Sequence, residues 1–150
     1  MNGCPRCRKT GRPVGDGTVA ALLHEPAAGR LLGVDRRFCR TPSCEVVYYG
    51  ADGRLALKTD ARVRVGIKET DDPIPLCYCF DVSREDVWNE IAQVGASTIA
   101  ERIATEVRAC RCACETKNPS GACCLGEIQA AARDAFQTQP VPRRAAPAKR

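Results

Sequence analysis

The chain is 150 residues long, has a formal net charge of +5 and holds eleven cysteines, while aromatic residues make up only 5%. That length suits one ordinary domain or two small ones, and two small domains could not each build a large apolar core from so few aromatics. This excludes a fold held by apolar packing alone and points to the cysteines as staples, either as disulfides or as metal ligands. Four of the positive charges (Arg143, Arg144, Lys149, Arg150) sit in the last eight residues and leave about +1 for the rest, which removes a strong electrostatic case for binding nucleic acid.

The opening stretch, MNGCPRCRKTGRPVGDG, has no apolar h-region and no small-residue cleavage pattern, and the sequence has no run of about 18 apolar residues. The expectation is a cytoplasmic protein without membrane insertion. In that compartment a cysteine-rich chain binds metal more readily than it forms disulfides, and an odd number of thiols cannot all pair.

In chain order, Cys4-Pro-Arg-Cys7 comes first, and Cys39-Arg-Thr-Pro-Ser-Cys44 follows after 31 intervening residues. Two close pairs across a hairpin-sized insert suit a tetrahedral Zn(Cys)4 site. Each turn brings two sulfurs to one side of the ion, and Pro5 and Pro42 stiffen the turns. Four thiolates leave no open position, so the expected role is structural. A thioredoxin-like reading of Cys4 and Cys7 needs a preceding strand, and Cys4 lies too near the start for one. VAALLHEPAAG predicts a short helix ended by Pro26. His24, the sole histidine, has no ligand-spaced partner and is expected to be solvated or at a helix end. EVVYYGADGRLALKT predicts a β-hairpin turning at Ala51-Asp52-Gly53. ARVRVGIKE alternates Val63, Val65 and Ile67 with charged residues and predicts a half-buried strand. Residues 1–67 thus read as a β-rich zinc-binding domain.

Residues 68–75, KETDDPIP, combine two prolines with a charge run and read as a linker. Residues 76–137 read as a helical domain. Ser83 and Asp86 come close to a capping box, ahead of a helix with Val87, Ile91 and Val94 on one face and Gly95 as its stop. A second helix from about Ser97 spaces Ile99, Ile103 and Val107 by four, and LGEIQAAARDAF predicts a third. Residues 138–150, Pro-rich and basic, are expected to be disordered.

This second half carries the other seven cysteines: Cys77, Cys79, Cys110, Cys112, Cys114, Cys123 and Cys124. A helix pair runs out and back, so Cys77 and Cys79 can meet the loop from Cys112 to Cys124. Four sulfurs from two loops suit either a second zinc or a [2Fe–2S] cluster, and spacing leaves both open. In ETKNPSG, Asn118 must be extended before Pro119 and Gly121 permits positive φ. The turn is expected either to aim backbone N–H groups at an anion or to be a plain surface turn. Arg108, Arg111 and Lys117 flank the thiols, either to offset a cluster's negative charge or simply as solvated charges. No Ser/His/Asp or Cys/His constellation and no phosphate loop is present, which argues against an enzyme acting on an organic substrate.

CYCF, followed some thirty residues later by CACETKNPSGACCLGE, resembles the N-terminal module of CopZ-type copper chaperones. CPRC, FCRTPSCEVVYY and RVGIKE extend the resemblance over about residues 1–130. The second half also resembles, more weakly, the [2Fe–2S] domains of the bacterioferritin-associated ferredoxin type. The resemblance implies an α+β protein of two metal-stapled modules: a treble-clef-like zinc domain, then a helical [2Fe–2S] domain. It puts zinc on Cys4, Cys7, Cys39 and Cys44. It puts the cluster on Cys77, Cys79 and Cys114, the cysteine four residues before the Asn-Pro turn. Cys124 is taken as fourth ligand over Cys123, since adjacent cysteines can hardly both ligate one iron without strain. Spacing does not separate Cys112 from Cys114 or Cys123 from Cys124. Cys110, Cys112 and Cys123 are left as spare thiols or as soft ligands for Cu(I). With a zinc ion and a cluster on eight thiolates the formal charge falls by four, again to near +1.

The implied function is electron transfer that reduces Cu(II) to Cu(I), or otherwise assists the handling of copper or another soft metal. At most this is a metal-ion reductase, not a classical enzyme. Implied partners are a separate heavy-metal-binding chaperone domain or a metal-exporting ATPase, together with an electron donor. Full chaperones of that family continue into a ferredoxin-like domain with an M-x-C-x-x-C loop. These 150 residues hold no such loop, because Cys4–Cys7 is the sole C-x2-C and Met1 the sole methionine. The alternatives are a non-redox zinc-binding scaffold or sensor, and an iron–sulfur carrier.

Overall fold

The computed structural model describes residues 2–138; the expected tail from residue 139 onward lies outside the described residues. The elements are β1 (Arg12–Pro13), α1 (Asp16–Leu22), α2 (Ala27–Leu31), β2 (Arg36–Phe38), β3 (Val46–Gly50), β4 (Leu55–Leu57), β5 (Pro75–Cys77), β6 (Val82–Ser83), α3 (Arg84–Val94), α4 (Ile99–Arg108), α5 (Cys114–Lys117) and α6 (Leu125–Thr138). The protein is α+β and packs as two units. Residues 2–70 combine with 113–123, and residues 71–112 combine with 124–138.

The first unit is an antiparallel sheet in the order β1-β2-β3-β4. Its central strand, Val-Val-Tyr-Tyr-Gly, is buried at every position. An irregularity in its pairing with β4 falls between Val46 and Tyr48. Val47 and Tyr48 enter one apolar cluster with Val19, Leu23, Leu31 and Phe38, while Val46 and Tyr49 pack with cysteines in another. Each fully buried aliphatic or aromatic side chain contributes roughly 1.5–3 kcal/mol. The hairpin turns at Asp52-Gly53 as the sequence predicts, with Gly53 at φ +89. The Tyr49 hydroxyl accepts from the Gly11 N–H at 2.7 Å and donates to the Asn2 carbonyl, so it ties the first residues to the sheet. A Cβ on Gly11 would stand 2.2 Å from the Phe38 carbonyl oxygen, so only glycine fits there.

Three local expectations differ in this unit. The segment around Pro26 forms two helices: α1 ends at Leu22, and Pro26 caps the start of α2. The strand expected through Val63, Val65 and Ile67 does not form. Val65 is buried and starts a 3-10 turn over Gly66–Lys68, while Ile67 is exposed. The alternation reflects one buried side chain, Val65, and not a hydrogen-bonded ladder. Lys68, read as the first linker residue, is 4% exposed and belongs to this unit.

The segment 113–123 packs here as well. The Thr18 hydroxyl donates to the Glu115 carbonyl at 2.6 Å, and the Tyr48 hydroxyl donates to the Pro119 carbonyl. A Cβ added to Gly121, which has φ +70, would meet the Thr18 hydroxyl at 3.2 Å.

In the second unit, Ser83 and Asp86 form a full capping box: the Asp86 N–H donates to Ser83 Oγ and the Ser83 N–H donates to Asp86 Oδ2. Gly95, at φ +78, ends α3 in the left-handed conformation. Val87 and Ile91 of α3, Ile99 and Ile103 of α4, and Ile128, Ala131 and Ala135 of α6 form one core. Val94 falls outside it and is 68% exposed, because α3 ends there. No helix among the described residues is long and apolar enough to cross a membrane.

Candidate metal centres

All eleven thiols are free of disulfides. Cys4 and Cys7 sit on a turn closed by the Cys4 N–H to the Lys9 carbonyl (2.9 Å) and the Arg8 N–H to the Cys4 carbonyl (2.8 Å). Arg8 takes φ +68 to complete it. Cys39 ends the β2 side of the sheet, its N–H bonded to the Val47 carbonyl. Cys44 closes the second turn by donating to the Thr41 carbonyl at 3.2 Å.

The two turns bring all four sulfurs within 4.8 Å of one another. Cys4 and Cys44 are 3.9 Å apart and Cys7 and Cys39 are 3.7 Å apart. Sulfurs bound about 2.3 Å from a tetrahedral zinc stand roughly 3.8 Å from each other, so the donor set fits that ion in number, chemistry and spacing. Cys4, Cys39 and Cys44 are buried and Cys7 is half-buried.

The thiols do not share one acidity. Burial dominates at Cys4 and Cys39 and pushes both up, Cys39 to about 12. At Cys7 burial again opposes ionisation. Hydrogen bonds from the Thr41 hydroxyl (3.2 Å), the Lys9 N–H and the Cys39 and Cys4 thiols outweigh it and bring Cys7 down to about 6. A divalent cation on the four sulfurs favours their ionised forms.

The sequence reading did not single out Thr41 or Lys68. The Lys68 ammonium donates to the Thr41 carbonyl at 2.7 Å and the Cys44 carbonyl at 3.0 Å, bracing the second turn. Thr41 had a signal in its position between the two cysteines. Lys68 had none, because it lies in a charge run. His24 is exposed between α1 and α2 and takes no part.

Among the described residues no second group of three ligating atoms is gathered as closely. In the second unit, Cys77 and Cys124 are buried and Cys79 packs against the same core. The Cys124 thiol beside Cys77 is the main reason the Cys77 thiol falls to about 6; burial opposes it, and the Phe80 and Cys79 N–H groups assist. Cys123 is exposed, whereas Cys124 is 1% exposed. Cys114 is buried on α5, Cys112 is half-buried and Cys110 is exposed.

Asn118 is extended and Gly121 has positive φ, as expected, but the turn does not present its N–H groups to an anion. Ser120 N–H and hydroxyl donate to Asn118 Oδ1, Gly121 N–H donates to the Asn118 carbonyl and Ala122 N–H donates to Ser120 Oγ. The buried Asn118 amide completes the set by donating to the Ala122 carbonyl at 2.9 Å. Of the flanking cations, Arg111 is held by Glu106 through two bonds of 2.6 and 2.9 Å. Arg108 reaches the Thr105 hydroxyl, and Lys117 is exposed.

The family model of the CopZ zinc binding domain matches residues 1–62. The copper chaperone CopZ of Archaeoglobus fulgidus is 33% identical over 129 residues, which are 86% of this chain and 61% of that protein. The chain therefore spans less than two thirds of the relative's length. The X-ray structure of the A. fulgidus CopZ N-terminal domain superposes with a TM-score of 0.71 at 30% identity, covering 85% of this chain and 95% of that one. With the four-cysteine geometry and this similarity across nearly the whole of a solved domain, the chain belongs to the family of the CopZ N-terminal domain and begins with a CopZ-type zinc-binding domain.

Proposed function

We propose that the protein is an electron-transfer module for copper handling, with a structural zinc on Cys4, Cys7, Cys39 and Cys44 and a [2Fe–2S] cluster on Cys77, Cys79, Cys114 and Cys124. The observation that carries the second half is the buried Cys77–Cys124 pair with Cys79 on the same core. It supports Cys124 over the exposed Cys123 as the ligand beside Cys77. Cys114 is assigned over Cys112 by the motif spacing alone. A bound [2Fe–2S] cluster supplies one electron, which turns Cu(II) into Cu(I) and is replaced by a separate donor. The protein's own part is to offer thiolates: the Cys77 thiol, brought down to about 6, is buried in one core with Val82, against which Leu76 and Phe80 pack. The similarity to a copper chaperone supports copper as the metal handled and a chaperone domain or a metal-exporting ATPase as recipient. A cytoplasmic location fits this reading.

The test is anaerobic purification, metal counting and electron paramagnetic resonance, followed by Cu(II) added to the reduced protein. One zinc and two irons per chain, a reducible chromophore, and one Cu(I) formed per cluster reoxidised are expected. Two zincs and no iron would overturn the cluster in favour of a non-redox scaffold. Reoxidation without Cu(I) would overturn the copper reading, and transfer of the cluster to an apo acceptor would favour an iron–sulfur carrier.

A further inference from the structure

We infer that Lys68 is the built-in counter-charge of the four-cysteine site: its buried ammonium fixes the second cysteine turn and offsets the surplus negative charge that zinc leaves on four thiolates. The inference rests on the zinc reading of that site. Lys68 is 4% exposed, yet both groups its ammonium is bonded to, the carbonyls of Thr41 and Cys44, are neutral. The adjacent carboxylate does not serve it, because Glu69 is engaged by Lys58 at 3.6 Å and Arg64 at 3.3 Å. A buried cation with only neutral acceptors is costly, and in a folded protein the cost is met by an opposite charge nearby.

The four-cysteine site supplies that charge. Zinc on four thiolates carries a net −2, and Lys68 holds the carbonyl of one of those four cysteines. The lysine is also placed by its backbone. Val65 is buried in the core just ahead of it, and the Lys68 N–H closes the turn onto the Val65 carbonyl at 2.9 Å. Its direct bonds to the turn that carries Cys44 make it a positioning residue as well as a charge.

Two neutral replacements separate these parts. Lys68→Met keeps the shape and removes both charge and donors; Lys68→Gln keeps a donor without the charge. Both variants should release zinc to a chromogenic chelator about tenfold faster than the unaltered chain, the scale on which groups supporting metal ligands act. With cobalt in place of zinc, both should move the thiolate-to-cobalt charge-transfer band to longer wavelength, because thiolates without their counter-charge give up electrons more easily. Release rates and bands unchanged in both variants would overturn the inference, as would a Gln variant that behaves like the unaltered chain while Met does not. Should neither variant fold, the unaltered zinc-loaded protein decides it. A nitrogen-15 spectrum should then show a slowly exchanging lysine ammonium that disappears on chelation, and its absence would overturn the inference. An unaltered chain that takes up no zinc would overturn the zinc reading and the counter-charge with it, whereas unchanged variants overturn the counter-charge alone.

Discussion

The two cysteine groups are built on different principles. In the first unit the thiols are part of the core: Cys4, Cys39 and Cys44 pack with Val46 and Tyr49 as a cluster of their own. Their sulfurs already stand at tetrahedral spacing on two short turns. In the second unit the core belongs to the helices, through Val87, Ile91, Ile103 and Ile128, and the thiols of Cys77 and Cys124 sit within it. The first unit thus has a cysteine cluster beside its apolar one, while in the second the thiols sit inside a single core made mostly by the helices. Removing metal should therefore cost the two units very unequally.

The sharpest way to break that comparison is to strip the zinc, or to replace Cys39 with Ser. Zinc binding at such a site contributes on the order of 10 kcal/mol to folding, and without the ion burial keeps Cys39 a neutral thiol, its value pushed up to about 12. Amide signals from residues 2–70 should collapse, while those of α3, α4 and α6 persist. Equal loss in both units would show that the helical core does not stand alone.

A second test concerns residues 113–123, which pack with the zinc unit although the sequence places them among the helices. Asn118→Ala removes the acceptor for the Ser120 N–H and hydroxyl and the donor to the Ala122 carbonyl, all at a position 5% exposed. Leaving such groups unpaired costs about 1–3 kcal/mol. Hydrogen exchange at Ser120 and Ala122 should quicken accordingly, with no change at Ile91 or Ile103. In the unaltered chain the same two amides should lose protection when zinc is removed. Exchange there that ignores zinc would separate this segment from the first unit.

What was legible in the sequence was local. The C-x2-C and C-x4-C pairs, the Asp52-Gly53 turn and the Ser83–Asp86 box each state their geometry within a few residues, and each is found. The Asn-Pro-Ser-Gly turn was legible as a backbone shape, but the use of its N–H groups was not, because side chains of Asn118 and Ser120 consume them. Thr18 bonding to Glu115, 97 residues away, has no sequence signature at all. Lys68 was hidden for a related reason. In a charge run a lysine reads as solvated, and only the turn that buries it reveals its partners. Val65 shows the converse case, an apolar alternation that marks a buried side chain without a strand.

The smallest expected effect tests whether the second unit depends on ordinary helix chemistry. Glu90, near the end of α3, accepts from the Thr98 N–H at 2.9 Å and the Thr98 hydroxyl at 2.6 Å, just before α4 begins. Burial alone would raise its carboxyl. Bonds from the Thr98 and Ser97 side chains and from the Thr98 and Ile99 N–H groups outweigh burial, and they hold it below its ordinary 4.5. A carboxyl depressed in the folded state stabilises the fold above the unfolded value and loses that contribution as pH falls through the lower folded value. Helical signal from α3 and α4 should thus weaken below about pH 4.5. Glu90→Gln should cost roughly 0.5–1 kcal/mol at pH 7 and flatten that part of the pH profile. The change should be the same with and without zinc. Dependence on zinc would mean that the helix pair draws stability from the first metal site, which its separate apolar core gives no reason to expect.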